Sequence, residues 1–264
     1  MHTGTQQSCT NLLFHYNLKF RLDSYAATTM DDHYCAAVFK YMRQFAIKFR
    51  DECTFLCVDD KAKVDFGEPG YAVSTGVRGN QSIAPVSSTL SALDHDFNSR
   101  GSLIPSVALQ VDIPASLDDS FYRGVVTVKY KDSVFQPSNP FRHAAEMVKI
   151  LTNEGNDEVV PPVVMIFSDG GADHRITYHF VTLALIVLFR KLNLDMLIAG
   201  RTAPGHSWLS PAERIMSILN LGLQNVALMR DECQPAEIET TLKGANTMAE
   251  IRKKAERVNG LKES

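Results

Sequence analysis

Hydrophobic positions along the chain change spacing several times, and each change marks a predicted element. From Asp31 to Arg50 they recur at helical intervals, with Tyr34, Val38, Met42 and Ile47 along one side. Lys40, Arg43, Lys48 and Arg50 are scattered around that helix, so it reads as an amphipathic packing helix, with a phosphate-facing basic helix as the alternative. CTFLCVDD follows as a core strand. Strand side chains alternate, so Cys53 and Cys57 share a face, while Asp59 and Asp60 point to opposite faces. Gly67 to Gly70 is a turn signal, and YAVSTGV returns as a second strand. From Arg78 to Gly101 the chain is polar and reads as a loop or insertion; Asp94, His95 and Asp96 there read as a solvated turn.

Two more strand-like runs follow, LIPSVALQVDI and FYRGVVTVKY, the second near a sheet edge. Asn139 and Pro140 open a helix as N-cap and first residue, and Phe141, Ala145, Val148 and Leu151 recur along it until Glu154-Gly155-Asn156. Val163 to Phe167 is apolar throughout, as in a strand buried on both faces. A helix from about Thr177 to Lys191 is apolar nearly all round and is expected to be buried, and Leu194 to Ala199 is the next strand. That strand–helix–strand unit predicts a parallel pair within a mixed α/β layer fold. TAPGHSWLSPAERIMSILN then carries a proline-led helix, in which Ser210, Pro211 and Glu213 spell a capping box. Beyond Asp231 the chain is charged, with a new helix start at Pro235 and Glu237 and basic residues Arg252, Lys253, Lys254 and Arg257.

Composition narrows the class. In 264 residues, 45% hydrophobic and 22% charged content implies a buried core. A net charge of −3 argues against nucleic-acid binding by bulk positive charge, though not against local basic patches or bound metal. The five cysteines (Cys9, Cys35, Cys53, Cys57 and Cys233) are odd in number and lack a C-x-x-C pair. Neither a disulfide framework nor a zinc knot is expected, and a reducing compartment fits better. Ile176 to Phe189, the most apolar run, is too short to cross a bilayer and contains His179; no membrane partner is expected.

The candidate chemistry lies in three acids. Asp169 ends a strand and is followed by Gly170 and Gly171, which let the backbone turn and leave room beside the carboxylate. Glu213 sits on the first turn of a later helix, and Asp59, with Asp60 as the alternative, ends the first strand. Magnesium prefers oxygen ligands, commonly one or two carboxylates with water and substrate phosphate. Paired ions of that kind support phosphodiester cleavage and strand transfer. Asp59, Asp60, Asp169 and Glu213 are therefore the candidate ligands of Mg2+ or Mn2+. Taken singly, SDGG is also a turn and Glu213 a helix cap. A metal-dependent adhesion loop would need Asp-x-Ser-x-Ser at the first strand, which VDDKAKV lacks.

A strand ending in VDD, a later one ending in SDGG and a helix opening with SPAER resemble the DDE transposase and integrase superfamily. TAPGHSWLSPAER is similar to the last motif of mariner-type cut-and-paste transposases, and SDGGADH, with His174, to the second. The resemblance covers roughly Cys53 to Met229. It implies an RNase H-like mixed sheet flanked by helices, with helical N- and C-terminal extensions. It divides the chain into a polar segment and helix (1–50), an RNase H-like catalytic core (51–230) and a charged helical extension (231–264). It implies DNA cleavage and strand transfer by a two-metal mechanism, with Asp59, Asp169 and Glu213 as the catalytic triad. His174, Arg201, His206 and Arg214 would contact DNA or support the site. The implied partner is DNA, as transposon ends or target, in the nucleus, with a homo-oligomer as the working form. No helix-turn-helix or zinc-finger pattern is legible before the core. The chain is thus expected to be a catalytic fragment or a host protein derived from a mobile element. A non-catalytic, transposon-derived binding module that keeps the fold is the alternative reading.

Overall fold

The computed structural model describes residues 30–74, 83–91, 101–133, 137–152, 160–231, 240, 245 and 248–257. The Asp94–Asp96 triplet, most of the polar loop around it, the Glu154–Asn156 stop and the Pro235 helix start lie outside the described residues.

The main sheet holds β1 (Cys53–Asp60), β2 (Val64–Phe66), β5 (Gly101–Val111), β6 (Gly124–Asp132), β7 (Val163–Ser168) and β8 (Met196–Arg201). β5 pairs antiparallel with β6 along one edge. Its other edge is shared end to end by β1 and β2. β7 then pairs parallel with β1, and β8 parallel with β7. The result is the mixed α/β, RNase H-like arrangement expected, with an antiparallel part and a parallel part. β6 pairs only with β5 in this sheet, in keeping with its edge-like sequence. YAVSTGV, expected as a second strand, instead contributes β3 (Tyr71–Ser74) to a separate three-stranded sheet with β4 (Thr89–Ser91) and β9 (Ala227–Leu228). The Glu68–Arg230 ion pair helps fasten that sheet's ends.

Alternation along the strands builds two cores. On one face Cys53, Phe55 and Cys57 of β1 pack with Leu109, Val111, Met165 and Phe167. They lie beneath α1 (Met30–Lys48) and the start of α4 (Pro211–Leu223), through Met42, Ala46 and Ala212. On the other face Leu56 and Val58 pack with Ala108, Val164 and Ile166. These lie under α2 (Pro140–Thr152) and α3 (His179–Lys191), through Ala144, Met147, Ala184 and Leu188. Burial keeps the Cys57 thiol well above its ordinary pKa, and Cys53 is raised by burial and by the charge of Glu52. Both cysteines are packing groups.

Three helical expectations need correction. In α1 the buried stripe is Cys35, Met42 and Ala46, while Tyr34 is exposed. Arg43 lies over the rings of Phe39 and Phe121, which uses one of the helix's basic residues in packing. In α2 the Asn139 cap forms as expected, with its side-chain oxygen accepting the Arg142 N–H at 3.0 Å. The buried face, however, is His143, Ala144, Met147 and Leu151, and Phe141 is exposed. α3 is not buried all round: Val181, Ala184 and Leu188 face the sheet, while Phe180, Leu183, Ile186 and Val187 are exposed. A single layer over one face of a sheet covers only one side of a helix, whatever the other side is made of. A short helix α5 (Met248–Ala255) follows in the C-terminal part, and Arg252 donates to the Ser133 carbonyl at the end of β6. No described helix is long and apolar enough to cross a membrane.

Candidate functional site

β1 and β7 run in parallel register from Cys53 beside Val163 to Val58 beside Ser168. Carried one residue further, the same register sets Asp59 beside Asp169, at the carboxyl ends of two central strands. Ligand and catalytic groups collect at such strand ends in open α/β sheets. After Asp169 the backbone turns through Gly170, whose φ of 78° lies in the left-handed region. A β-carbon at Gly170 would meet the Arg201 side chain at 3.0 Å, so the turn also needs the missing side chain. Asp169 is held in this turn by the Gly171 N–H, which donates to its Oδ1 at 2.8 Å. The Thr202 hydroxyl, just past β8, donates to the Asp169 carbonyl at 3.0 Å.

Glu213 arrives from α4. Pro211 and Ala212 are buried, and Ala212 belongs to the same core as Phe55 and Cys57. The first turn of α4 is thus anchored on the sheet face toward which Asp59 points. The capping box expected from the sequence does not form. Ser210 occupies the N-cap position, but its hydroxyl makes no cap hydrogen bond and is buried without a partner among the described residues. The Glu213 N–H instead donates to the Ser210 carbonyl at 3.1 Å. The helix start is fixed by burial of Pro211 and Ala212, and the Glu213 carboxylate is not consumed in capping.

Electrostatics separate the two adjacent acids of β1. Asp59 is 5% exposed. Burial, then the neighbouring charges of Asp169 and Glu213, push its carboxyl up to about 8. The structure therefore brings Asp59, Asp169 and Glu213 into one electrostatic neighbourhood. Among the described residues, none of the three is in an ion pair with a lysine, arginine or histidine.

Asp60, the alternative first acid, goes to the other face. Lys131 Nζ lies 3.0 Å from each of its carboxylate oxygens, and the Ser138 hydroxyl donates to Oδ2 at 2.7 Å. Burial works to raise this carboxyl. Hydrogen bonding and charge from His143, the Ser138 bond and the Lys131 charge outweigh it and hold Asp60 well below the usual carboxylate range. Asp60 is thus compensated in place and does not face Asp169 and Glu213.

Lys131, Ser138, His143 and Glu146 form a polar cluster that sequence reasoning missed. Each comes from an ordinary stretch of strand, loop or helix, and only the closing of α2 over β1 and β6 gathers them. The other side chains singled out from the sequence are dispersed. His174 packs against His143 with ring centroids 4.1 Å apart and ring planes tilted by 51°. Burial, then the charge of His143, lowers its pKa to about 3. His206 approaches Asp32, Arg214 lies over the Tyr122 ring at 3.9 Å, and Arg201 packs along Gly170.

A scan against protein-family models finds no match, and a search of curated proteins finds none either. Among solved structures, the chain is similar to the Mos1 mariner paired end complex with Mn, at 14% identity and a TM-score of 0.41. That match covers 85% of this chain and 58% of the other, so this chain spans less than two thirds of that neighbour's length. It is also similar to the Mos1 strand transfer complex, at 13% identity, a TM-score of 0.39 and coverage of 85% and 56%. A pre-cleavage Mos1 transpososome matches at 12% identity and a TM-score of 0.39, over 85% of this chain and 58% of the other.

Proposed function

We propose that this chain is a divalent-metal-dependent core for DNA strand cleavage and transfer, of the DDE transposase kind. The observation that carries the proposal is the gathering of Asp59, Asp169 and Glu213 without a basic partner among the described residues. Repelling carboxylates at a strand end cost stability unless a cation joins them. Their donor atoms are all oxygen, which suits Mg2+ or Mn2+. Asp60, one residue away, is by contrast paired with Lys131.

In this reading Asp59, Asp169 and Glu213 hold the ions. Bound metal supplies activation of the attacking hydroxyl and stabilisation of the leaving oxygen on a DNA phosphodiester. The rest is the work of the chain. The parallel register of β1 and β7 fixes Asp59 and Asp169 on rigid strand ends. Gly171 leaves room beside Asp169, since a β-carbon there would lie 3.2 Å from its Oδ2. The N-terminus of α4 contributes the positive end of its dipole beside the carboxylates. Asp59, whose carboxyl is pushed up to about 8, would have to give up a proton for a cation to bind, since a carboxylate ligand must be ionised.

The test is cleavage of end-labelled duplex DNA with Mg2+ or Mn2+, comparing the wild-type chain with Asp169→Asn. Metal-dependent nicking that disappears in the variant is the expected result. Nicking that survives Asp169→Asn, or metal binding by the wild type without any nicking, would overturn the proposed activity.

A further inference from the structure

A trough crosses the start of α2, and the carboxylate chemistry does not use it. Its first half is a groove of about 670 Å³ between β6 and α2, lined by Lys129, Tyr130, Phe141, Arg142, Glu146 and Lys149. Its second half, about 650 Å³, lies between the starts of α2 and α3 and is lined by Phe141, Asp173, Tyr178 and Phe180 among others. Asn139 and Phe141 line both halves. Each half has the size at which proteins hold small organic groups, about 300–1,000 Å³.

Aromatic rings stand along the whole trough: Tyr130 in the first half, Phe141 between the two, Tyr178 and Phe180 in the second. All four are exposed, from 44% at Phe141 to 68% at Phe180. Packing does not account for them. Helical spacing put Phe141 in the core of α2, yet His143, Ala144, Met147 and Leu151 take that place. Ring faces exposed along a groove are platforms on which other flat rings stack.

Charge selects among flat ligands. The first half carries three cations, Lys129, Arg142 and Lys149, against one acid, Glu146. Glu146 is engaged from two sides, by Arg142 Nε at 3.5 Å and from the interior by Lys131 at 3.4 Å. Beside the second half, Arg175 lies over the Tyr178 ring at 5.1 Å. The start of α2 adds the positive end of its dipole. These cations gather in a chain whose net charge is −3, so they are a local feature and not a reflection of composition. Rings set among cations suit unpaired nucleotides, whose bases lie on the rings while the phosphates meet the charges. A duplex keeps its base faces covered and would leave the rings unused.

The trough lies beside the candidate metal site. Lys129 pairs with Ser106, which pairs with Asp60, so it stands level with the end of β1. Two strand spacings, about 10 Å, separate Lys129 from Asp60. Ala172 and Asp173, which line the second half, follow closely after Asp169.

We infer that this trough binds a short unpaired nucleic-acid strand, with bases on the four rings and phosphates on Lys129, Arg142, Lys149 and Arg175. That the strand is DNA rests on the function proposed above; the stacking and the charge contacts do not.

The experiment is fluorescence anisotropy of labelled oligo(dT), oligo(rU) and a DNA duplex of the same length with the full chain in EDTA, where no metal-dependent cleavage operates. Oligo(dT) should bind at least about tenfold more tightly than the duplex. Phe141→Ala and Tyr178→Ala, both at exposed rings, should each weaken oligo(dT) binding at least about fivefold, the low end of the loss for one stacked base. Lys149→Gln and Arg175→Gln should each reduce the slope of log affinity against log salt by about 0.7. Asp59→Asn/Asp169→Asn should bind oligo(dT) as the wild type does, which separates the trough from the metal site. Preference for the duplex, or oligo(dT) binding unmoved by both aromatic variants, would overturn the assignment. Self-association in sedimentation that depends on Phe141 and Phe180, without oligonucleotide binding, would give the trough to a second copy of the chain and overturn it too. Oligo(rU) bound more tightly than oligo(dT) would overturn DNA as the strand and leave the stacking site standing.

Discussion

Asp59 stands beside Asp169 because β1 and β7 pair in parallel with Val58 opposite Ser168. The charge of Asp169 acts on Asp59 there, and so does that of Glu213 from the first turn of α4. This relationship sets the pH behaviour of the metal-free protein. The folded-state pKa of Asp59, about 8, lies above its ordinary value of 3.8, so the folded chain holds this proton more tightly. The stabilising contribution is full below about pH 4 and is lost as pH rises through about 8. Urea denaturation across this range should show that loss in the wild type and not in Asp59→Asn. Mg2+ or Mn2+ competes with the proton, so stabilisation by the ion should grow over the same interval.

Glu213→Gln should abolish metal-dependent cleavage, with kcat falling by at least about 100-fold and the melting temperature nearly unchanged. Ser210→Ala supplies the control. A working N-cap hydroxyl is worth about 1 kcal/mol, but the Ser210 hydroxyl is buried and makes no cap bond. Its removal should therefore cost less than about 0.5 kcal/mol, or stabilise the chain. A loss of more than about 1 kcal/mol in denaturant titration would show that the cap forms in solution.

Lys131 is fully buried and neutralises Asp60. Lys131→Met leaves that carboxylate without its cation and should destabilise the fold by about 3–5 kcal/mol. Adding Asp60→Asn should restore much of the loss, because both charges are then gone. A double-mutant cycle in urea measures the coupling, and additive losses would contradict the pairing.

Gly170→Ala places a β-carbon in the left-handed region and 3.0 Å from Arg201 Cδ. The expected cost is about 1–2 kcal/mol of stability, with weaker metal binding as Asp169 shifts. Isothermal titration with Mn2+ should show the affinity falling; unchanged affinity would separate the turn from the site.

The two faces of α3 should respond differently to mutation. Leu188→Ala, in the core under the helix, should cost about 2–5 kcal/mol. Leu183→Gln, on the exposed face, should change stability by less than about 0.5 kcal/mol. Thermal melts of the two variants decide this directly.

The sequence by itself determined most of the local elements and the faces of the central strand. Period-two alternation in CTFLCVDD set Cys53, Cys57 and Asp59 on one face and Asp60 on the other, and backbone geometry permits nothing else in a strand. The apolar runs of β7 and β8 and the helix between them carried the parallel unit, and Asn139 carried its cap. Tertiary structure decided which acid faces which partners. That choice depends on α4 covering one face and α2 the other, and no local pattern contains it. It also decided against the capping box, since burial of Pro211 and Ala212 fixes the start of α4 without the serine hydroxyl. It left half of α3 exposed, because the sheet and α2 cover one side of the helix and the side turned away from both meets solvent. Lys131, Ser138, His143 and His174 became a cluster for the same reason: contacts between distant segments are set by packing, and side-chain identity alone does not say which segments will meet.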